Sequence, residues 1–201
     1  MNFLAHIYLS GTDEDVIIGN FIADGIKGKR YLNYSPGIAK GIILHRGIDT
    51  FTDAHPVVHQ STAKLHKNYG HYSGVIVDIL YDHFLAKNWS KYHKQPLDEY
   101  VQEFYELLRK NFTTLPARIQ RMMPYMIADN WLLSYATVEG IGKILSQMNV
   151  RTKGVAKMDE AVRELEEHYE EFESEFTSFF EELREFSKQK LKELWNPRLF
   201  L

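Results

Sequence analysis

The chain has no cysteine among its 201 residues, which excludes disulfides, zinc–thiolate centres and a thiol nucleophile. Any bound metal must therefore be held by nitrogen and oxygen. No apolar run approaches the roughly 20 residues needed to cross a bilayer. The opening MNFLAHIYLSGTDED has no basic start and meets acidic residues early, unlike a secretory signal. A cytoplasmic protein with no membrane partner is expected. There is no P-loop, no dinucleotide fingerprint and no Gly-x-Ser-x-Gly elbow, and no basic stripe dense enough for nucleic acid. Pairs of alternating, strand-like runs joined by tight turns are missing too, which points to an all-α protein.

What is present suits one globular unit. Apolar residues make up 44% and charged residues 25% of the chain, and this length favours a single compact multi-helix domain over 1–201. The net charge of −3 hides an asymmetry, because positions 159–187 hold twelve Asp and Glu against two Arg while the rest holds 22 basic and 15 acidic residues. A mildly basic body with an acidic, water-facing helix near the end follows.

Helix signals recur along the chain. Thr12, Asp13 and Asp15 can cap a helix running to about Asp24, with Gly25 and Gly28 as stops. Ser35-Pro36 opens a helix to about Asp53, and His55-Pro56 opens another. Tyr69-Gly70 precedes a helix from about Ser73 to Trp89, and Pro96 opens the next. Pro116 and Pro124 should divide the following stretch into short pieces, and Thr137 to about Met148 is a further helix. One long helix is expected from about Val155 to Leu194, with the stripe Leu165, Tyr169, Phe172, Phe176, Phe179, Leu183 and Phe186 as core packing.

The chemistry should lie where His and Asp interrupt apolar helices, because a buried carboxylate is costly unless paired or bound to a cation. In GIILHRGIDTFTDAHP, His45, Asp49 and Asp53 stand four apart on one helical face. Asp49 and Asp53 can equally pair with Arg46 or cap the next helix. In SGVIVDILYDHFLAKNW, Asp78 and Asp82 share a face at about 6 Å, where they repel unless a cation or proton lies between them, and His83 follows; Asp82 and His83 can equally form a hydrogen-bonded pair with a neighbouring helix. Asp24 closes GNFIAD at a helix C-terminus, the wrong end for a bare carboxylate. His6, in FLAHIYL, reads either as a hydrogen-bonded core histidine or as a ligand. A sulfur-free imidazole and carboxylate set suits manganese, iron or magnesium, and such an ion makes hydrolysis of a phosphate ester feasible. The glycine-containing segment GIKGKR offers Lys27, Lys29 and Arg30 for a phosphate or an acidic protein.

MNFLAH at 1–6, GNFIAD at 19–24, GIILHRGIDTFTD at 41–53 and SGVIVDILYDHFLAKNW at 73–89 together resemble the acyl carrier protein phosphodiesterase family, with a fainter likeness in DNWLLSY and the acidic helix. The resemblance implies an all-α bundle distantly like the HD phosphohydrolases and a divalent metal, typically Mn2+, with Mg2+ or Fe2+ as alternatives. It also implies removal of the 4′-phosphopantetheine arm from holo-acyl carrier protein. Carried over position by position, the family's His and Asp signatures fall on His6, Asp24, His45, Asp49, Asp78, Asp82 and His83. Of these, His6, Asp24, His45, Asp49, Asp78 and Asp82 are the candidate metal ligands, with catalysis assigned to Asp24, His45, Asp78, Asp82 and His83. Lys27, Lys29, Arg30 and Arg46 are the candidate phosphate holders. The chain departs from the family at Gly47, where a second basic residue is expected, and at Tyr69-Gly70-His71, which lacks paired arginines. Carrier proteins are strongly acidic, so these losses weaken that substrate assignment. The rivals are an HD-type small-molecule phosphodiesterase or nucleotidase and a non-catalytic helical module that binds an acidic protein.

Overall fold

Proline and short polar side chains start the helices where the sequence places them. Ser35 accepts a hydrogen bond from the Ile38 amide at 3.4 Å and Pro36 occupies the first turn of the helix Pro36–Ala54. The His55 side chain caps the next, Pro56–Tyr69, by accepting from the Val57 amide. The computed structural model describes residues 1–195, and among them there are twelve α-helices, five short 3-10 segments and no strand. The fold is all-α, as the sequence predicts.

In chain order the helices are α1 (Phe3–Tyr8), α2 (Glu14–Ile22), α3 (Pro36–Ala54), α4 (Pro56–Tyr69), α5 (Ser73–Lys87) and α6 (Trp89–Tyr92), followed by α7 (Leu97–Lys110), α8 (Ala117–Ala128), α9 (Trp131–Ser134), α10 (Val138–Arg151), α11 (Val162–Glu167) and α12 (Tyr169–Leu194). One continuous core joins them, and α5 runs through it with Ile76, Val77, Ile79, Leu80 and Phe84 fully buried. The aromatic stripe of α12 is core, as expected: Phe172, Phe176, Phe179, Phe180 and Leu183 have no exposure.

Two expectations need correction. Pro124 does not divide its stretch but lies inside α8, on the exposed side, where the carbonyl that loses its partner can turn to water. The long final helix is broken, with a 3-10 turn at Met158–Ala161 and a kink at His168 (ψ 28°) that lets α12 begin with Tyr169 against α5.

Glycine sets the geometry that matters most. A Cβ on Gly19 of α2 would lie 2.0 Å from the Ile38 carbonyl oxygen, and one on Gly41 of α3 would lie 2.2 Å from that of Val16. The backbones of α2 and α3 therefore touch, which only glycine permits. This contact brings the C-terminal end of α2, with Asn20 and Asp24 beyond it, against the middle of α3, with His45 and Asp49.

Candidate active site

A cavity of about 360 Å³ opens beside α1, α2 and α3 and is lined among others by His6, Asn20, Asp24, His45, Asp49 and Asp78. At its wall the His6 and His45 rings stack with centroids 3.9 Å apart. His6, His45 and Asp49 each offer a ligand atom, all within 4.8 Å of one another. His45 Nε2 lies 3.1 Å from Asp49 Oδ2 and 3.2 Å from Asp24 Oδ1, and His6 Nε2 lies 3.3 Å from Asp49 Oδ1. Four of the predicted residues are thus brought together.

Asn20 organises them, and sequence reasoning missed it. Its amide nitrogen donates to the His6 carbonyl at 3.0 Å and to Ser10 Oγ at 2.9 Å. The carbonyl can only accept, so the amide cannot be flipped. Asn20 Oδ1 therefore accepts from both rings, from His6 Nδ1 at 2.8 Å and His45 Nδ1 at 3.1 Å. Each Nδ1 must then carry hydrogen, and each Nε2 is turned toward carboxylate oxygens. For a neutral ring that is lone pair against lone pair, and only a proton or a cation makes it favourable. Asn20 has no exposure within an apolar helix, and a buried polar residue one turn before Asp24 was the available signal.

The charges divide unevenly between the rings. Burial lowers the pKa of His6, because desolvation outweighs Asp49 and the neighbouring His45 disfavours a second cation. Burial opposes charge on His45 as well, but hydrogen bonds to Asp24 and Asp49 prevail and raise it to about 9. Asp49 is held well below the carboxylate range despite burial, through its bonds to His45 and His6, and Asp24 is lowered by its bond to His45. Two rings and two carboxylates thus share one site, a donor set that fits a divalent ion of the manganese or magnesium type.

The α5 residues are placed differently from the expectation. Asp82 has no exposure and accepts from the backbone amides of Leu4, Asn2 and Ala5 at 2.7, 3.2 and 3.4 Å. It anchors the start of α1 and so supports His6 from behind. Its oxygens are occupied inside the protein, so it stands apart from the His6, His45 and Asp49 group instead of joining it as a ligand. Burial raises its pKa to about 7 against the opposing pull of the Met1 ammonium and of the Leu4 and Asn2 amides. Asp78 lines the cavity but stands outside the cluster, with Oδ1 accepting from the Met1 ammonium at 2.7 Å. That ammonium relieves its charge and also pulls on Asp82.

His83 does not reach the cavity either. Its Nδ1 lies 2.8 Å from the Tyr135 carbonyl and its Nε2 2.7 Å from the Tyr169 hydroxyl. Burial lowers its pKa, so it is a neutral ring that donates to one and accepts from the other, tying α5 to α12 and to the end of α9.

The basic residues also differ. Lys27, Lys29 and Arg30 are exposed and line no part of the cavity. Arg46 donates to the carbonyls of Ile26 at 2.7 Å and Gly28 at 2.9 Å, so it holds the loop instead of a phosphate. A Cβ on Gly47 would meet Phe186 of α12 at 3.5 Å, so a basic side chain there would point away from the cavity. The arginines that line the cavity are Arg118 and Arg151, which no local motif marks.

Fold and cluster together are those of an all-helical protein that gathers imidazole and carboxylate groups at a cavity. The chain belongs to the acyl carrier protein phosphodiesterase family, whose model matches residues 1–183. Proteins named acyl carrier protein phosphodiesterase are similar to it. The one from Yersinia enterocolitica is 31% identical over 170 residues, covering 84% of this chain and 88% of that protein. The one from Serratia proteamaculans is 28% identical over 191 residues, covering 94% and 99%. The one from Escherichia coli strain HS is 29% identical over 170 residues, covering 84% and 88%. No solved structure matches the chain. Among the described residues no helix is long and apolar enough to cross a membrane.

Proposed function

We propose that the protein hydrolyses the phosphodiester joining 4′-phosphopantetheine to a serine of acyl carrier protein, in the cytoplasm, with a divalent ion, Mn2+ before Mg2+ or Fe2+, held by His6, His45, Asp49 and Asp24. The observation that carries the reading is the confrontation of imidazole Nε2 atoms with carboxylates, imposed by Asn20 on both rings. When bound, such an ion neutralises phosphoryl charge and eases deprotonation of the attacking water.

The chain's own residues do the rest. Asn20 fixes both rings, so their Nε2 atoms need no reorientation when charge develops. Asp24 is the most open member of the cluster, with a side chain 64% exposed, and it is the group placed to take the proton of the incoming water. As water adds to phosphorus, the bond from phosphorus to the serine oxygen breaks, and the serine oxygen leaves with the proton that Asp24 took from the water. Apolar groups along the cavity, including Phe3, Phe21, Ile144 and Met148, offer a surface for the pantetheine arm.

The test is incubation of holo-carrier protein with the purified chain and manganese, followed by mass measurement. Loss of the arm with appearance of apo-carrier supports the reading. An unchanged mass, together with no bound divalent ion after manganese loading, rejects it.

A further inference from the structure

Beside the cavity lies a second depression between α8 and α10, and the two share Arg118, Trp131, Gln147 and Arg151 in their walls. The helical period sorts the α8 side chains: Ile119, Met123 and Met126 turn into the core, whereas Arg118, Arg121 and Tyr125 line the groove with Val150 and Arg151 from α10. Three arginines face one acid, Asp129, in this lining, and none of the acids at 159–187 contributes to it. Arg109, Arg163 and Arg184 each pair with a glutamate three residues earlier on their helix. Arg118 and Arg121 form no ion pair among the described residues. The groove also bears large uncovered apolar side chains, Tyr125 at 67% and Val150 at 76% exposure. Unpaired cations around an uncovered aromatic and aliphatic centre are the anatomy of an interface for an acidic protein.

We infer that this groove between α8 and α10 is where the acidic surface of the carrier protein docks, so that the diester on its serine enters the adjoining cavity. The inference rests on the reading under Proposed function and names the surface that reading needs. Continuity of the walls supplies the geometry, since a protein seated on Arg121, Tyr125 and Val150 stands at the mouth of the cavity holding His45 and Asp49. Charge complementarity selects the occupant. The 27–30 loop, with its three cations, lines neither depression and is a bystander.

Arg121 and Val150 lie outside the catalytic cavity, so Arg121→Glu and Val150→Asp separate docking from chemistry. Three measurements are needed: the Kd of labelled apo-carrier protein, kcat and KM for holo-carrier, and cleavage of bis(p-nitrophenyl) phosphate with manganese. Each substitution is expected to weaken apo-carrier binding and raise KM about 10-fold or more, with kcat and the small diester held within about twofold. Wild-type affinity should fall with salt, and a Lys27→Glu, Lys29→Glu double variant should behave as wild type. Variants that bind apo-carrier as wild type does, or a larger loss in the double variant, overturn the docking surface alone. Wild-type protein that neither removes the arm nor binds apo-carrier overturns the reaction and the docking with it. If wild type binds without cleaving, the Kd values still decide the docking surface.

Discussion

Helices α3 and α5 each carry histidine and aspartate in an apolar setting, yet their polar atoms have opposite fates. On α5 Asp82 and His83 find their partners within the protein: Asp82 takes three backbone amides, and His83 sits between a carbonyl and a hydroxyl. Around His45 of α3 the match depends on a proton or a cation: with Asn20 taking both Nδ1 hydrogens, His45 Nε2 meets Asp49 and Asp24, and His6 Nε2 meets the same Asp49. Burial alone does not separate the two regions, because His45 at 6% and His83 at 1% are both inside. What separates them is whether donors and acceptors match. Matched polarity holds helices together, and mismatched polarity beside a cavity calls for a ligand.

Substitutions should therefore act on function in one region and on folding in the other. The largest effect is expected for Asp49→Ala, which removes the carboxylate common to both rings. Arm removal from holo-carrier should fall by about 1000-fold or more and bound manganese should be lost, while the melting temperature without metal stays close to wild type. Turnover within tenfold of wild type would take the cluster out of the mechanism.

Asp82→Ala should do the reverse. It leaves the amides of Asn2, Leu4 and Ala5 buried without their acceptor, at a cost of about 2–4 kcal/mol in stability. Denaturant midpoints should drop, with turnover per folded molecule reduced less than about tenfold through the displaced His6. The sequence alone leads to the opposite expectation, lost turnover with the fold kept. A variant of normal stability that has lost its turnover would restore Asp82 to the chemistry and erase the contrast between the helices.

Asn20→Ala tests the link on which the α3 arrangement turns. With Oδ1 gone, neither Nδ1 proton is held and both rings are free to rotate. Removing such a partner weakens metal binding by about 10- to 100-fold, read by manganese titration, with the small-diester rate recovering at saturating metal. Unchanged manganese affinity would mean that the rings are held by stacking and burial alone.

Local spacing made much of this legible. Pro36, Pro56 and Pro96 mark helix starts because proline suits the first turn wherever the chain runs afterwards, and the four-residue interval between His45 and Asp49 survives as a shared face because a helix fixes it. The same interval misled at Asp78 and Asp82. Whether a carboxylate meets a cation or an amide depends on contacts such as Asp82 to Leu4, 78 positions away in the chain, and periodicity contains nothing about those. Asn20 escaped notice because an uncharged amide raises no electrostatic alarm in a sequence. Arg118 and Arg151 escaped because α8 and α10 meet the cavity only after the whole bundle has closed. The kink at His168 was equally invisible, since Tyr169 continues the stripe at the right interval and only its contact with His83 explains why α12 starts there.

The smallest effect concerns the charge on Asp82, and it sharpens the contrast without removing the side chain. Burial raises the folded-state pKa of Asp82 to about 7, above the roughly 3.9 of an unfolded aspartate. Between those values the folded state holds a proton that the unfolded state has released, so stability falls as pH rises. The stabilisation is complete below about pH 4 and is lost as pH climbs through about 7. Asp82→Asn keeps the shape and one acceptor oxygen but cannot ionise, so it lacks this slope. Wild type should therefore exceed the variant in melting temperature by most at about pH 4 and below, and the gap should narrow toward pH 8. A gap that widens with pH would mean that the three amides and the Met1 ammonium prevail over desolvation and that α1 is anchored by a carboxylate rather than a carboxylic acid.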